Sequence, residues 1–158
     1  MNTSRCRVPF AVAVAALAVA GCSGEEGPAA PSPSGKAAAT CRSLHDRLPE
    51  HVDGQERITL DPASKYTAAW GDPAIELRCG VPRPEKLSPG SEHYNPTAEA
   101  VEVNGVSWLL EKREEGYRFT TIGRAANVEL TVPEDHAPEI DALPDLAKSV
   151  RTSVPEHH

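Results

Sequence analysis

Aromatic residues are scarce in this 158-residue chain: two Trp, three Tyr and two Phe make up 4% of it. With so few rings, the two tryptophans, Trp70 and Trp108, are expected to matter to the core. A basic excess is lacking too. Sixteen Lys and Arg face 23 Asp and Glu, a net charge of −7, which argues against nucleic acid or anionic headgroups as direct partners. No apolar run reaches the roughly 20 residues that a bilayer-spanning helix needs. Catalytic signatures are missing as well. The chain contains no Gly-x-Ser-x-Gly elbow, no His-Glu-x-x-His, no Walker loop and no dinucleotide fingerprint. No cofactor and no metal is expected. The histidines are scattered: His45, His51, His93, His136, and the terminal His157 and His158. Glu134-Asp135-His136 holds metal-type donors, but adjacent residues rarely converge on one ion, so a solvated acidic turn is expected there. Nothing marks two carboxylates as facing each other across a cleft, as glycoside hydrolysis requires.

What is present begins at the N-terminus. Arg5 and Arg7 precede an apolar stretch, Val8 to Ala20, that closes in Val19-Ala20-Gly21-Cys22. A positive start, a short apolar run and small residues before a cysteine read as a lipoprotein signal with a lipobox. Residues 1–21 are then removed, and Cys22 becomes the first residue, carrying diacylglycerol on sulfur. Two acyl chains hold a protein firmly where one binds only marginally. The expected location is the outer face of the cytoplasmic membrane. The mature chain has 14 basic and 23 acidic residues, a net charge of −9, so attachment has to come from the lipid.

Cysteine parity agrees. Cys6 leaves with the signal and Cys22 takes the lipid, so Cys41 and Cys79 remain as a pair in an oxidising compartment, where a disulfide is the default. Ser23 to Ala39 is rich in Gly, Pro, Ser and Ala, and residues 22–39 are expected as the lipidated cysteine and a flexible linker reaching roughly 20–25 Å.

Residues 40–158 read as a single domain. Thr40 can cap a short helix with Cys41, Leu44 and Leu48 on one face, ended by Pro49. A short strand at Arg57–Leu60 and another at Tyr66–Trp70 come next. Gly71-Asp72-Pro73 makes a turn, and Ile75, Leu77 and Cys79 alternate with Glu76 and Arg78 as a half-buried strand. The disulfide then pins the first helix onto the sheet. Pro82 to Pro96 is a loop. Asn104-Gly105 sits at the centre of a hairpin with Val101, Val103, Val106, Trp108 and Leu110 on one face, and Glu102, Ser107 and Glu111 on the other. Tyr117, Phe119 and Thr121 continue inward, then Val128, Leu130 and Val132. Ile140, Leu143, Ala147 and Val150 give a last helix within Pro138–Arg151, with Pro144 near its start. The expected class is α+β: an antiparallel meander of about four to six strands, with N- and C-terminal helices packed on one face and one disulfide.

Trp70, Asp72, Arg78 and Arg124 are the candidate ligand-binding residues, drawn from the densest cluster of special residues, Trp70 to Pro82, and from Gly123-Arg124. The same four also read as a core tryptophan, a capped turn, a surface ion pair of Arg78 with Glu76, and a surface arginine after a turn.

Cys22 in its lipobox, Cys41-x-x-Leu44, Ala69-Trp70-Gly71-Asp72-Pro73, Leu77-Arg78-Cys79-Gly80-Val81, Gly105-Val106-x-Trp108 and Val128-Glu129-Leu130-x-Val132-Pro133 together resemble one family. It is an uncharacterised family of secreted, lipid-anchored actinobacterial proteins, defined as a domain of unknown function. The resemblance covers essentially the whole mature domain and brings no catalytic residues. It implies an envelope role. The anchor, the size and the absent motifs suit a non-enzymatic module binding a membrane protein or wall component through one sheet face or the loop Pro82–Pro96. The alternative is a wall-acting enzyme with a site near Asp72, Arg78 and Arg124. A solute-binding lipoprotein is disfavoured, because the domain is too small for two lobes with a cleft between them.

Overall fold

The computed structural model describes residues 25–157, so Cys6, Cys22 and the expected signal lie outside the described residues. The first helix, α1 (Gly35–His45), buries Ala38, Cys41 and Leu44. It starts well before the expected cap at Thr40. Lys36 and Ala37–Ala39 are strong helix formers, and Ser34 takes the extended geometry of an N-cap residue. It also ends earlier, at His45, with Asp46 as its C-cap. Leu48 is still buried, just beyond the helix. The segment before α1, expected as free coil, lies against the domain. Glu25 pairs with Leu60, and the Glu25 carbonyl accepts the Asp61 N–H at 3.0 Å. A side chain at Gly27 would meet Leu60, and one at Gly80 would meet Pro33. Close approach of backbone and side chains thus fixes residues that composition alone marks as linker.

β1 (His51–Val52) and β2 (Gln55–Glu56) form a small hairpin around Asp53-Gly54, both at positive φ. The expected strand at Arg57–Leu60 shrinks to a few contacts: Arg57 bridges Trp70, and the Ile58 N–H donates to the Ala69 carbonyl at 3.0 Å.

Six strands build the main sheet: β3 (Thr67–Trp70), β4 (Ile75–Cys79), β5 (Ala100–Val103), β6 (Val106–Arg113), β7 (Gly116–Thr121) and β8 (Val128–Pro133). Every pairing is antiparallel, in the order β3-β4-β8-β7-β6-β5. The Asn104-Gly105 hairpin has the expected register, Val103 opposite Val106 and Val101 opposite Trp108, with both turn residues at positive φ. Gly116 is equally constrained: its φ is +121°, and a Cβ there would lie 2.1 Å from the Val132 carbonyl oxygen. The last helix, α2 (Leu143–Ser153), holds Pro144 in its first turn and comes after a 3₁₀ turn at Glu139–Ala142. Ile140 falls in that turn and is exposed, not part of the apolar stripe as expected.

α1 and α2 cover one face of the sheet. Cys41, Leu44, Leu143, Leu146 and Val150 meet Trp70, Leu77, Trp108, Phe119 and Leu130 in one core. The helices also bond to each other's flanks: Ser149 Oγ donates to the Arg47 carbonyl at 2.7 Å. The Cys41–Cys79 disulfide, with its Cα atoms 5.5 Å apart, joins α1 to β4 inside this core.

The meander is interrupted. β8 slots between β4 and β7, which leaves β4 and β5 with three strands between them. The connection through residues 80–99 must span about 19 Å of sheet at the usual strand spacing. The helices occupy the other face, so the connection crosses the polar one. Lys86, in its 3₁₀ turn Glu85–Leu87, reaches Glu111 on β6. Glu111 is 8% exposed instead of solvated, and Leu109 and Thr120 on the same face are fully buried.

The disulfide closes a loop with a sequence separation of 38. On the chain-entropy account such a crosslink contributes about 4 kcal/mol. Paired replacement of Cys41 and Cys79 by serine is expected to lower the unfolding free energy by about that amount in urea titrations. An unchanged midpoint would show that the crosslink does not hold α1 to the sheet.

Candidate functional site

The alternation that buries Ile75, Leu77 and Cys79 sends Glu76 and Arg78 to the opposite face. The register then lines up charges across four strands. Arg78 lies opposite Glu129 on β8, and Arg118 on β7 lies opposite Glu111 on β6. The result is a ladder of alternating sign. Arg78 Nη1 sits 3.2 Å from Glu129 Oε1. Glu129 Oε2 is 3.9 Å from Arg118 Nη1. Arg118 Nε donates to Glu111 Oε2 at 3.0 Å, and Arg118 Nη2 lies 2.8 Å from the same oxygen. Lys86 Nζ closes the row, 3.7 Å from Glu111 Oε1. The carboxylates are buried and the guanidiniums half-exposed, so each buried anion has two cations against it. That arrangement offsets the desolvation an isolated buried carboxylate would suffer.

Beyond the ladder, toward the β6–β7 turn, the polar face opens into a groove of about 1110 Å³. Glu76 and Thr131 form its floor, and Arg113, Glu114, Glu134 and Asp135 stand around it. His136 Nε2 bonds to the Pro73 carbonyl at 2.7 Å and ties this rim to the β3–β4 turn. Burial holds the Glu76 carboxyl above its ordinary range; Arg78 pulls it down and Glu129 pushes it further up. The fold therefore disfavours the charge on Glu76. Among the described residues no three His, Cys, Asp or Glu side chains converge as a metal site would require.

The four residues singled out from the sequence lie in different places. Trp70 is fully buried in the core, its Nε1–H donating to the Pro49 carbonyl at 3.0 Å. Arg78 belongs to the ladder. Asp72, in the β3–β4 turn, lines a cavity of about 340 Å³ with Gln55 and Leu60. Arg124 is at 9% exposure and spends its guanidinium on the chain's own backbone: the Val154 carbonyl at 3.1 Å and the Gly105 carbonyl at 2.6 Å, with Glu156 at 3.6 Å. It clamps the C-terminal tail to the Asn104-Gly105 turn, beside a separate cavity of about 330 Å³. Neither cavity reaches Trp70 or Arg78.

The ladder residues Glu111, Arg118 and Glu129 escaped the sequence reading. Their signal was present, because each occupies an outward position on a strand whose inward positions are apolar. Lone outward charges normally mean solvent. Only the strand order, which puts them on adjacent strands beneath a crossing loop, makes them a unit.

The family described as "Protein of unknown function (DUF3515)" matches residues 6–158, and the chain belongs to that family. No curated protein and no solved structure matches the chain.

Glu76 yields a prediction whose sign comes from its raised pKa. Between the ordinary carboxyl value of 4.5 and its raised folded value, the folded state binds more protons than the unfolded state. Glu76 therefore makes stability fall as pH rises through that window. Glu76→Gln is expected to raise the melting temperature relative to wild type at pH 7 and to leave little difference at pH 4. Equal effects at both pH values would contradict the assignment.

Proposed function

We propose that this member of the family is an extracytoplasmic lipoprotein of actinobacterial type. It is held on the outer face of the cytoplasmic membrane by diacylglyceryl Cys22, and it acts as a non-enzymatic binding or accessory module of the cell envelope. The buried Cys41–Cys79 disulfide is the observation that carries this reading. A core disulfide belongs to an oxidising compartment, and the lipobox at Val19–Cys22 is the export signal that delivers the chain there.

The polar sheet face supports the binding role. The ladder's charges are fixed by mutual pairing and give the groove beside them a rigid wall, so less has to be ordered when a partner binds. The groove beside the ladder offers room for a polypeptide or glycan segment. The partner class is an envelope protein or a wall component. Nucleic acid is disfavoured by the acidic balance of 23 acids against 16 bases. The enzyme alternative gains no support from the geometry, because among the described residues Asp72 and Arg124 line separate cavities and Arg78 lines neither.

The packed N-terminal segment changes the expected stand-off. Glu25 is already fixed beside Leu60, and only three residue steps separate it from Cys22, a reach of about 10 Å. The domain then sits close to the headgroups instead of 20–25 Å away on a coil.

Replacing Cys22 by serine is expected to move the protein from the membrane fraction to the medium while the Cys41–Cys79 disulfide still forms. Retention of the C22S protein in the membrane fraction would rule out the lipid anchor.

A further inference from the structure

A further polar pocket lies at the C-terminal end of α1, apart from the groove on the polar sheet face. It has a volume of about 270 Å³ and is lined by His45, Glu50, Arg57, Ser64 and Thr67, among others. We propose that this pocket binds a small oxyanion, a carboxylate or phosphate group, with Arg57 as its charged partner.

Arg57 is the key residue. It is half-buried, and its side chain makes a single hydrogen bond among the described residues, from Nη2 to His45 Nε2 at 3.1 Å. No carboxylate lies within ion-pair distance of it among those residues, unlike Arg78, Arg118 and Arg124. A guanidinium has five N–H donors and cannot lose its proton. One of them is spent here on a neutral ring, and the others are solvent-accessible, without a counter-anion and free to meet one.

The histidine is specified by the same contact. Arginine only donates, so His45 Nε2 accepts and the ring is neutral with its proton on Nδ1. Nδ1 is buried and has no hydrogen-bond partner among the described residues; Asp46 Oδ1, at 3.7 Å, is too far. Burial first, then Arg57 and Lys65, hold His45 below its ordinary pKa. The nearby acids do not relieve Arg57. Asp46 is engaged by Lys65 Nζ at 3.0 Å. Glu50 is exposed at the rim, and only its backbone carbonyl meets Arg57, accepting the N–H at 2.8 Å. Ser64 adds a donor: its Oγ accepts the Tyr66 N–H at 3.1 Å, which leaves its own hydroxyl proton free to point into the pocket.

An oxyanion seated against Arg57 supplies the missing counter-charge. It also neutralises one of the cations that depress His45, so His45 takes up a proton more readily when the pocket is filled. Binding is therefore tighter at lower pH, with Glu50 as the competing negative charge at the rim.

The test is a titration of the full chain with inorganic phosphate and, separately, with acetate. Ionic strength is held constant with chloride, and the readout is the His45 ring proton resonance, assigned through His45→Gln. The expected result is a saturable shift with at least one of the two anions and a rise in the His45 pKa at saturation. The anion that saturates identifies phosphate or carboxylate as the ligand group. Arg57→Gln is expected to weaken binding at least tenfold, since a charge-assisted hydrogen bond is lost, while Arg57→Lys keeps the charge and retains binding. The absence of a saturable shift with both anions overturns the proposal, as does an equal response in the Arg57→Gln protein. Should Arg57→Gln fail to fold, the wild-type titration and Arg57→Lys decide the matter.

Discussion

The pairing of β8 with β4, Leu77 against Leu130 and Cys79 against Val128, separates β4 from β5 by three strands. Residues 80–99 then cross the sheet on the face that the helices leave open. The character of the polar face is set by that crossing. Leu109 and Thr120 lose their solvent, and Glu111 and Glu129 become buried anions that require cations on both sides. Arg78, Arg118 and Lys86 supply them, the last from the crossing segment itself. A topology that looks like a detail of strand order thus decides which charges are solvated and which form a lattice. Ion pairs of this kind add little net stability compared with apolar packing. Their effect is to fix the orientation of several side chains at once, which is what a recognition surface needs.

The opposite face is governed by the crosslink. Cys41 sits between Ala38 and Leu44 on α1, and Cys79 ends the apolar row of β4. Their bond forces α1 flat on the sheet, and α2 packs beside it through Ser149 and Ser153 against the carbonyls of Arg47 and Ser43. At the far end, Arg124 and Arg151 tie the C-terminal tail and α2 to the Asn104-Gly105 turn. The small, aromatic-poor core is thereby held at both ends by bonds that do not depend on its size.

Much of this was legible in the sequence. The disulfide comes from cysteine parity, the helices from three-and-four spacing, and the hairpin at Asn104-Gly105 and the inward faces of β4, β6, β7 and β8 from two-residue alternation and one turn dipeptide. The parts that were not legible depend on tertiary contact. Residues 25–34 look like coil because they bury nothing of their own; they are fixed by Leu60 and Gly80, which lie far along the chain. The Asp53-Gly54 hairpin has strands of two residues, too short for any alternation to show. The insertion of β8 leaves no local trace, so Glu111 reads as an exposed residue. Of the residues marked as a possible site, Trp70 is the core tryptophan that was its alternative, whereas Arg124, whose alternative was a surface arginine, is buried and bonded to the chain's own carbonyls.

The polar sheet face, with its groove beside Glu76, is the surface proposed to meet an envelope partner. The direct measurement places a photo-crosslinking side chain at Arg113, on the groove, and in a second protein at Lys148, on the exposed side of α2, and compares adducts formed in intact cells. Discrete adducts from position 113 and none from position 148 are expected. Adducts from position 148 alone would place the binding surface on the helical face and overturn the assignment of the polar face.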